Sequence, residues 1–568
     1  MSIISSDHSL SAPATDGQDP GGQDPGGQNP GQIPLGAQRR SRFCYLFPEL
    51  ANDPMSGLFP GTSEDETVQR LKQFEAVFRP PELPARLRMQ LPAVYTYFGQ
   101  FVNHDMSAPT GGMLVNVASL SPAGILGSLD LPGLGKEWRA ADIEPILDHF
   151  VNEHETPLTL SSLYGDGPDS DDPEVQALYA DDRLHFRLAQ TIGLSAEKFG
   201  AITKTPPGLI HRNQGAHDIP RDGTRALIAD RRNDSNLILC QLHLALMLLH
   251  NKAVDALQPG IPDRVALFAA ARQLVNLHYQ WCILNDYLPH LLAEGVLATV
   301  LADAPRLRTN AVPMEFTTAA FRFGHSMVGE SYDFNPNFGL QGRIKAAATL
   351  KELFDFTSHA GMRGQAIQLP DHWVADWNRL TRLSPDGATQ SERIDLDFSV
   401  TMLNLVGEGA SLTHGSIFFR NILRGFHRRI PFGQQLASAY KLPVLSDAQI
   451  AAALPPKTTV PDDGNLRELA RDMGILTHTP AWVYFLAEAQ VLSGGERLGP
   501  TASHIIAETF VGLLRHNPMS VLNVMGGWHP GSSPLKTAAA QPLDSIRALI
   551  LFAVARTANS HDPAEIVP

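Results

Sequence analysis

Three segments of the chain carry residue types and spacings suited to acid–base and metal chemistry. In YFGQFVNHDMSAP (97–109), Gln100 and His104 stand four apart, so a helix puts both on one face while Asp105 turns about 100° away. That imidazole can be catalytic beside the carboxamide, or it can be a packed, hydrogen-bonded core histidine. In ADRRNDSNLILCQLHLALMLLHN (229–251), two arginines stand at a helix entry that Asp230 or Asp234 can cap. Arg232 stays cationic at all relevant pH; facing a cavity it stabilises charge on a departing oxygen, and facing solvent it forms a salt bridge to Asp230. In EFTTAAFRFGHSMVG (315–329), Arg322 and His325 stand three apart on one helical face. A metal-bound imidazole must be neutral and must donate from its other nitrogen to a fixed acceptor; the amide oxygen of Asn421, in FFRNILRGFHRRIPFG (418–433), can serve.

Helices must position these residues. Apolar residues recur at i, i+3, i+4 and i+7 through 91–106, 235–257 and 266–292, and further helices are predicted over 315–328, 414–426, 463–473 and 500–515. Alternating strand patterns are scarce, so the expected fold class is mainly α, a large helical domain with few short strands. Residues 18–31 repeat QDPGG and offer no apolar side chains to offset their ordering entropy. A disordered tail is expected over 1–41, and one folded unit over 42–568, where composition shows no sharp shift.

Composition narrows the function classes. Acidic residues outnumber basic ones 59 to 45, a formal charge of -14, which works against a nucleic acid or an anionic membrane as principal partner. The three cysteines, Cys44, Cys240 and Cys282, form no CxxC pair, so buried free thiols are expected in place of a disulfide framework or a thiolate zinc site. No basic segment followed by an apolar stretch opens the chain, and no run of about 18 apolar residues occurs. A chain without a signal peptide or transmembrane segment is expected, cytoplasmic or exported by an unconventional route, and monomeric.

Together these segments resemble the animal haem peroxidases of the peroxidase-cyclooxygenase superfamily. The resemblance rests on Gly99, Gln100, His104 and Asp105; on Arg232 standing 18 residues before His250 and Asn251; on FRFGHS (321–326); and on RNILRG (420–425). TPLTLSSLYG (156–165), HYQWCILNDYLP (278–289) and the stretch 479–514 extend it in the same order. It implies haem as cofactor and hydrogen peroxide plus a small reducing donor (a phenol, a halide or thiocyanate) as substrates, with an oxyferryl intermediate. By position, it implies that His104 is the distal acid/base, Arg232 its charge-stabilising partner, and Gln100 the holder of a distal water or halide. His325 becomes the proximal iron ligand, oriented by Asn421, and Arg322 and Arg424 match cations that neutralise haem propionates.

Departures from the family refine this. Where mammalian members carry carboxylates esterified to the haem, this chain has Asn103 and Ser235, so non-covalent haem b is expected. The family's calcium site maps to Asp105, Thr159 and Ser161, with Glu155 where a threonine is usual. Calcium prefers several charged oxygens, so a loop closed by hydrogen bonds alone is favoured over an occupied site. Fatty-acid dioxygenases of the superfamily carry a radical-forming tyrosine three residues before the proximal histidine, where this chain has Arg322. Peroxidase is therefore favoured over dioxygenase. The remaining alternative, a non-catalytic peroxidase-like binding module, has no physical need of both His104 and Arg232.

Overall fold

The computed structural model describes residues 41–78, 87–108, 142–154, 156–193, 209–303, 306–307, 309–358, 368–384, 387–403, 416–455, 466–524 and 527–555; the QDPGG repeat lies outside them. The fold is mainly α. The helices that matter for the site are α1 (Val94–Met106), α2 (Leu237–Leu257), α3 (Arg264–Cys282), α4 (Ile417–His427), α5 (Ala481–Ser493), α6 (Pro500–His516) and α7 (Ile546–Val554).

Helix α2 is the centre of the core, packed against α1, α3 and α7. It is long and apolar enough to cross a membrane by length and composition, yet 83% of its most apolar window is buried inside the protein. That burial is what an all-round apolar helix in a large domain is for. Its N-cap is Asn236, whose side chain accepts from the Leu239 N–H at 2.9 Å. Neither aspartate proposed from the sequence caps it: Asp230 caps the 3-10 turn Arg231–Asp234, and Asp234 binds the Arg221 guanidinium.

Strands are few and short. Ser41–Cys44 (β1) lies between Val151–Asn152, antiparallel to it, and Val312–Pro313, parallel to it. Arg88–Pro92 pairs antiparallel with Gln390–Glu392 and leads into α1, where the Ala93 N–H donates to the Thr389 carbonyl at 2.8 Å. The sequence pattern began this helix at 91; its first residues are instead taken up by the strand paired with Gln390–Glu392.

Two long helices expected from periodicity are broken. The segment 266–292 runs as α3, then a π-helical turn Ile283–Tyr287, then a short helix Leu288–Leu291. Pro289 has no N–H for the carbonyl one turn back, and the loosened register also lets the His290 ring nitrogen bond the Asp286 carbonyl at 2.6 Å. The segment 315–328 divides into an α-turn Met314–Thr318 and a 3-10 turn Ala320–His325. Residues three apart eclipse in a 3-10 turn, so Arg322 and His325 share a face more strictly than an α-helix would place them. Glu315, fully buried, accepts both the Leu46 and Phe47 N–H groups at 3.0 Å and fastens this segment to the chain after β1.

Candidate haem and peroxide site

Helix α1 brings one imidazole to the site. His104 is buried, and its Nδ1 lies 2.8 Å from Oδ1 of Asn233, an acceptor, so Nδ1 carries the proton and Nε2 keeps its lone pair. The Asn233 amide nitrogen in turn faces Nδ1 of His243 at 3.1 Å. Burial, then the neighbouring Arg232 charge, pull the His104 imidazole down to about 4, so it is neutral at physiological pH.

Arg232 is engaged on several sides. Its Nε donates to Asp230 at 2.9 Å, Nη1 to the Ser107 carbonyl at 2.8 Å, and Nη2 to the His104 carbonyl at 2.9 Å as well as to Asp230. It thus forms the salt bridge to Asp230 and also caps the carbonyls at the end of α1, where a cation is favoured. His154 Nε2 adds a second donor to the His104 carbonyl at 2.8 Å. These contacts leave the second Nη1 hydrogen uncommitted. Gln100 lies on the same face of α1: its amide donates to Ser235 at 3.3 Å and accepts from Asn236 at 3.0 Å.

Sequence reasoning assigned nothing to Asn233 or His243. Their signal is tertiary, a pairing between residues 129 positions apart, and no local pattern announces it.

The 3-10 turn carrying His325 packs against α1, α5 and α6. Burial and the charges of Arg322, Arg424 and Arg420 hold the His325 imidazole well below its ordinary value, hence neutral. Asn421 of α4 meets its Nδ1 at 2.9 Å, and here the structure differs from the sequence expectation. The amide nitrogen faces the ring, while Oδ1 accepts from Arg424 at 3.5 Å. A half-turn about χ2 exchanges the two ends of a carboxamide and gives the ring its acceptor. Trp482 of α5 stands beside the imidazole, ring centroids 6.5 Å apart, and its indole N–H holds the Arg322 carbonyl at 3.1 Å.

Guanidiniums crowd this side. Burial and repulsion from neighbouring arginines lower Arg322 to about 9 and Arg424 well below its ordinary value, and burial lowers Arg428 to about 10. Arg428 donates to Thr318 at 3.2 Å and lies 4.4 Å over the Phe150 ring. Among the described residues no carboxylate pairs with Arg424 or Arg428. Buried cations without a counter-ion beside a neutral imidazole suit a dianionic ligand with a metal, and haem, with two propionates and an iron, has that chemistry. Arg428 was not singled out in the sequence.

Residues 200–396 match the family described as animal haem peroxidase. Over this stretch the chain is similar to the animal haem peroxidases. The chain is also similar to peroxidase mlt-7 of Caenorhabditis elegans, 28% identical over 260 residues, 41% of this chain and 33% of that one. The match thus spans about a third of that relative's length. Among solved structures, peroxidase A of Dictyostelium discoideum shares the fold at 16% identity, TM-score 0.50, covering 84% of this chain and 88% of that one. The fatty acid alpha-dioxygenase of Oryza sativa does so at 12% identity, TM-score 0.50, covering 79% and 72%. Arg232 and His325 lie inside the matched stretch; His104 and Asn421 lie outside it.

The residues mapped to a calcium site come together as a hydrogen-bonded loop. The buried Asp105 carboxylate accepts from the Leu160 N–H at 3.1 Å, the Ser162 N–H at 3.2 Å and the Ser162 hydroxyl at 3.3 Å. Thr159 donates to the Thr156 carbonyl at 2.6 Å and faces the Ser161 hydroxyl at 3.2 Å. Glu155 lies outside the described residues, which contain no group of three or more His, Cys, Asp or Glu disposed to hold a metal ion.

His243, His250 and His278 are buried like His104, and burial lowers each to about 4. A base whose folded value lies below its unfolded value binds fewer protons when folded, so stability is retained above about pH 6.5 and lost as pH falls towards 4. The loss is about 1.4 kcal/mol per pH unit for each histidine across that window. The expected result is a melting temperature that is level above pH 7 and drops steeply between pH 6 and 4; an unchanged melting temperature at pH 5 would contradict it.

Proposed function

We propose that the protein is a haem peroxidase that reduces hydrogen peroxide and oxidises small donors such as phenols, halides or thiocyanate. The observation that carries this reading is a pair of neutral, shielded imidazoles, His104 and His325, on segments packed against each other, with Arg232 beside the first and the buried guanidiniums of Arg322 and Arg424 beside the second.

Bound haem supplies the iron at which peroxide is cleaved and the oxidising equivalents that donors then take up. His104 Nε2 accepts a proton from the peroxide and returns it to the departing oxygen, while Nδ1–H stays on Asn233. Arg232 keeps that imidazole neutral and stabilises the departing charge. Gln100, held by Ser235 and Asn236, presents its amide to a water or a halide. On the other side, Asn421 turns Oδ1 to the Nδ1–H of His325, which leaves Nε2 for the iron. Arg322, Arg424 and Arg428 would hold the propionates.

Asn103 and Ser235 cannot form ester bonds to the haem, so the cofactor is non-covalent haem b. The test is an absorption spectrum before and after one equivalent of peroxide, with acid-ketone extraction alongside. A Soret band that shifts with peroxide and a haem that enters the ketone phase are expected. A haem that stays with the protein overturns the non-covalent assignment. A loaded protein inert to peroxide favours a binding module, and oxygen uptake with an unsaturated fatty acid favours a dioxygenase.

A further inference from the structure

Tyr95 lies on α1, nine residues before His104, and is 8% exposed. Its phenol donates a very short hydrogen bond to Oδ1 of Asp286. The other carboxylate oxygen accepts the Ile546 N–H at 2.8 Å, and His290 Nδ1 approaches Oδ1 at 3.3 Å. Burial alone would raise the Asp286 carboxyl, but the bonds from His290, Tyr95 and the Ile546 N–H outweigh it and keep the group ionised. Asp286 in turn raises His290, whose side chain is 50% exposed. A phenol, an anionic base and a surface imidazole therefore stand in line. The π-helical turn Ile283–Tyr287 sets this line, since it carries Asp286 and looses the register by which His290 folds back.

The same turn places Tyr287 between this line and the haem site. Its ring stacks on Tyr95, centroids 6.4 Å apart and planes at 11°, and meets Phe321 at 6.3 Å, four residues before His325. Its hydroxyl fills the space beside Gly99, where any Cβ would overlap it. Gly99 therefore lets this ring reach the helix that carries Gln100 and His104.

The two tyrosines differ in one chemical respect. An oxidised phenol is strongly acidic, so losing an electron is easiest where the proton has somewhere to go. Tyr95 has the Asp286 carboxylate on its hydroxyl, whereas no hydrogen bond engages the Tyr287 hydroxyl among the described residues. Tyr287 can relay an electron, and Tyr95 can hold the vacancy.

We propose that Tyr95 is an electron-transfer station through which the oxidised haem site draws electrons, by way of Tyr287, from a phenolic donor too large to enter, docked at the surface beside His290. This rests on the haem peroxidase reading above. One electron leaves Tyr95 for the haem, the phenolic proton passes to Asp286, and a neutral phenoxyl radical remains. The donor phenol then gives up one electron and one proton: the electron restores Tyr95, whose proton returns from Asp286, and the donor proton passes to water.

The experiment is rapid-freeze electron paramagnetic resonance of the haem-loaded full chain after one equivalent of peroxide, in the native protein and in Tyr95→Phe and Asp286→Asn. A tyrosyl signal is expected in the native protein and is lost in Tyr95→Phe and in Asp286→Asn, with the Soret change intact in all three. The same signal is expected when photogenerated tris(bipyridine)ruthenium(III) replaces peroxide, an arm independent of peroxide chemistry. Tyr95→Phe should oxidise tyramine linked to dextran roughly tenfold or more slowly and free tyramine at the native rate. A signal that survives in Tyr95→Phe, or dextran-linked tyramine oxidised as fast as before, overturns the proposal. A native Soret change without any tyrosyl signal overturns it and leaves the peroxidase reading standing; a native Soret band inert to peroxide overturns both.

Discussion

His104→Ala slows the reaction with hydrogen peroxide by about 10²–10⁴-fold, the usual worth of a positioned acid/base, while haem content and the resting Soret band stay normal. The native rate is expected to be level above about pH 5 and to fall tenfold per unit below about 4, because burial and Arg232 put the imidazole there and only its neutral form takes a proton. Two variants of Asn233 separate positioning from mere support. Asn233→Leu removes the acceptor that keeps the proton on Nδ1 and slows the peroxide step with haem retained. Asn233→Asp sets an anion on Nδ1, stabilises the charged imidazole and moves the acid limb of the pH profile upward. Stopped-flow spectra in the Soret region read all of these. A native rate in His104→Ala would remove it from the mechanism, and an acid limb unmoved in Asn233→Asp would reduce Asn233 to packing.

His325→Ala weakens haem binding by roughly 100-fold or more, since loss of a partner behind a metal ligand alone costs roughly 10–100-fold. Haem that is retained gives an altered spectrum. Asn421→Leu, which keeps the iron ligand and removes its orienting amide, is expected to load haem with a shifted reduction potential. Haem titration by absorbance decides both, and a normal resting spectrum in His325→Ala would overturn the ligand assignment.

The helical pattern of the chain was legible wherever one face or the whole circumference of a helix is apolar, as in α2, because periodicity depends only on local spacing. It failed where another local rule competed. Pro289 broke the expected helix into a π turn and placed Asp286, Tyr287 and His290, and small residues around Phe321 let the His325 segment tighten into a 3-10 turn. Caps were legible in type and not in position, since Asp230, Asp234 and Asn236 are all capable and only packing chooses among them.

The site divides in the same way. Gln100, His104, Arg232, His325 and Asn421 could be picked out from the sequence because their spacing and neighbours recur in a family. The absence of carboxylates at Asn103 and Ser235 is likewise a fact of residue type alone. What the tertiary structure decided is which groups answer one another across long separations: Asn233 on His104, the Asp230 salt bridge and the α1 carbonyls both on Arg232, Arg428 beside Arg322 and Arg424, and the phenol of Tyr95 on Asp286. Residue identity fixes what a side chain can do, its charge, donors and acceptors. Which state it adopts depends on burial and on partners brought from distant parts of the chain, and those exist only once the chain has folded.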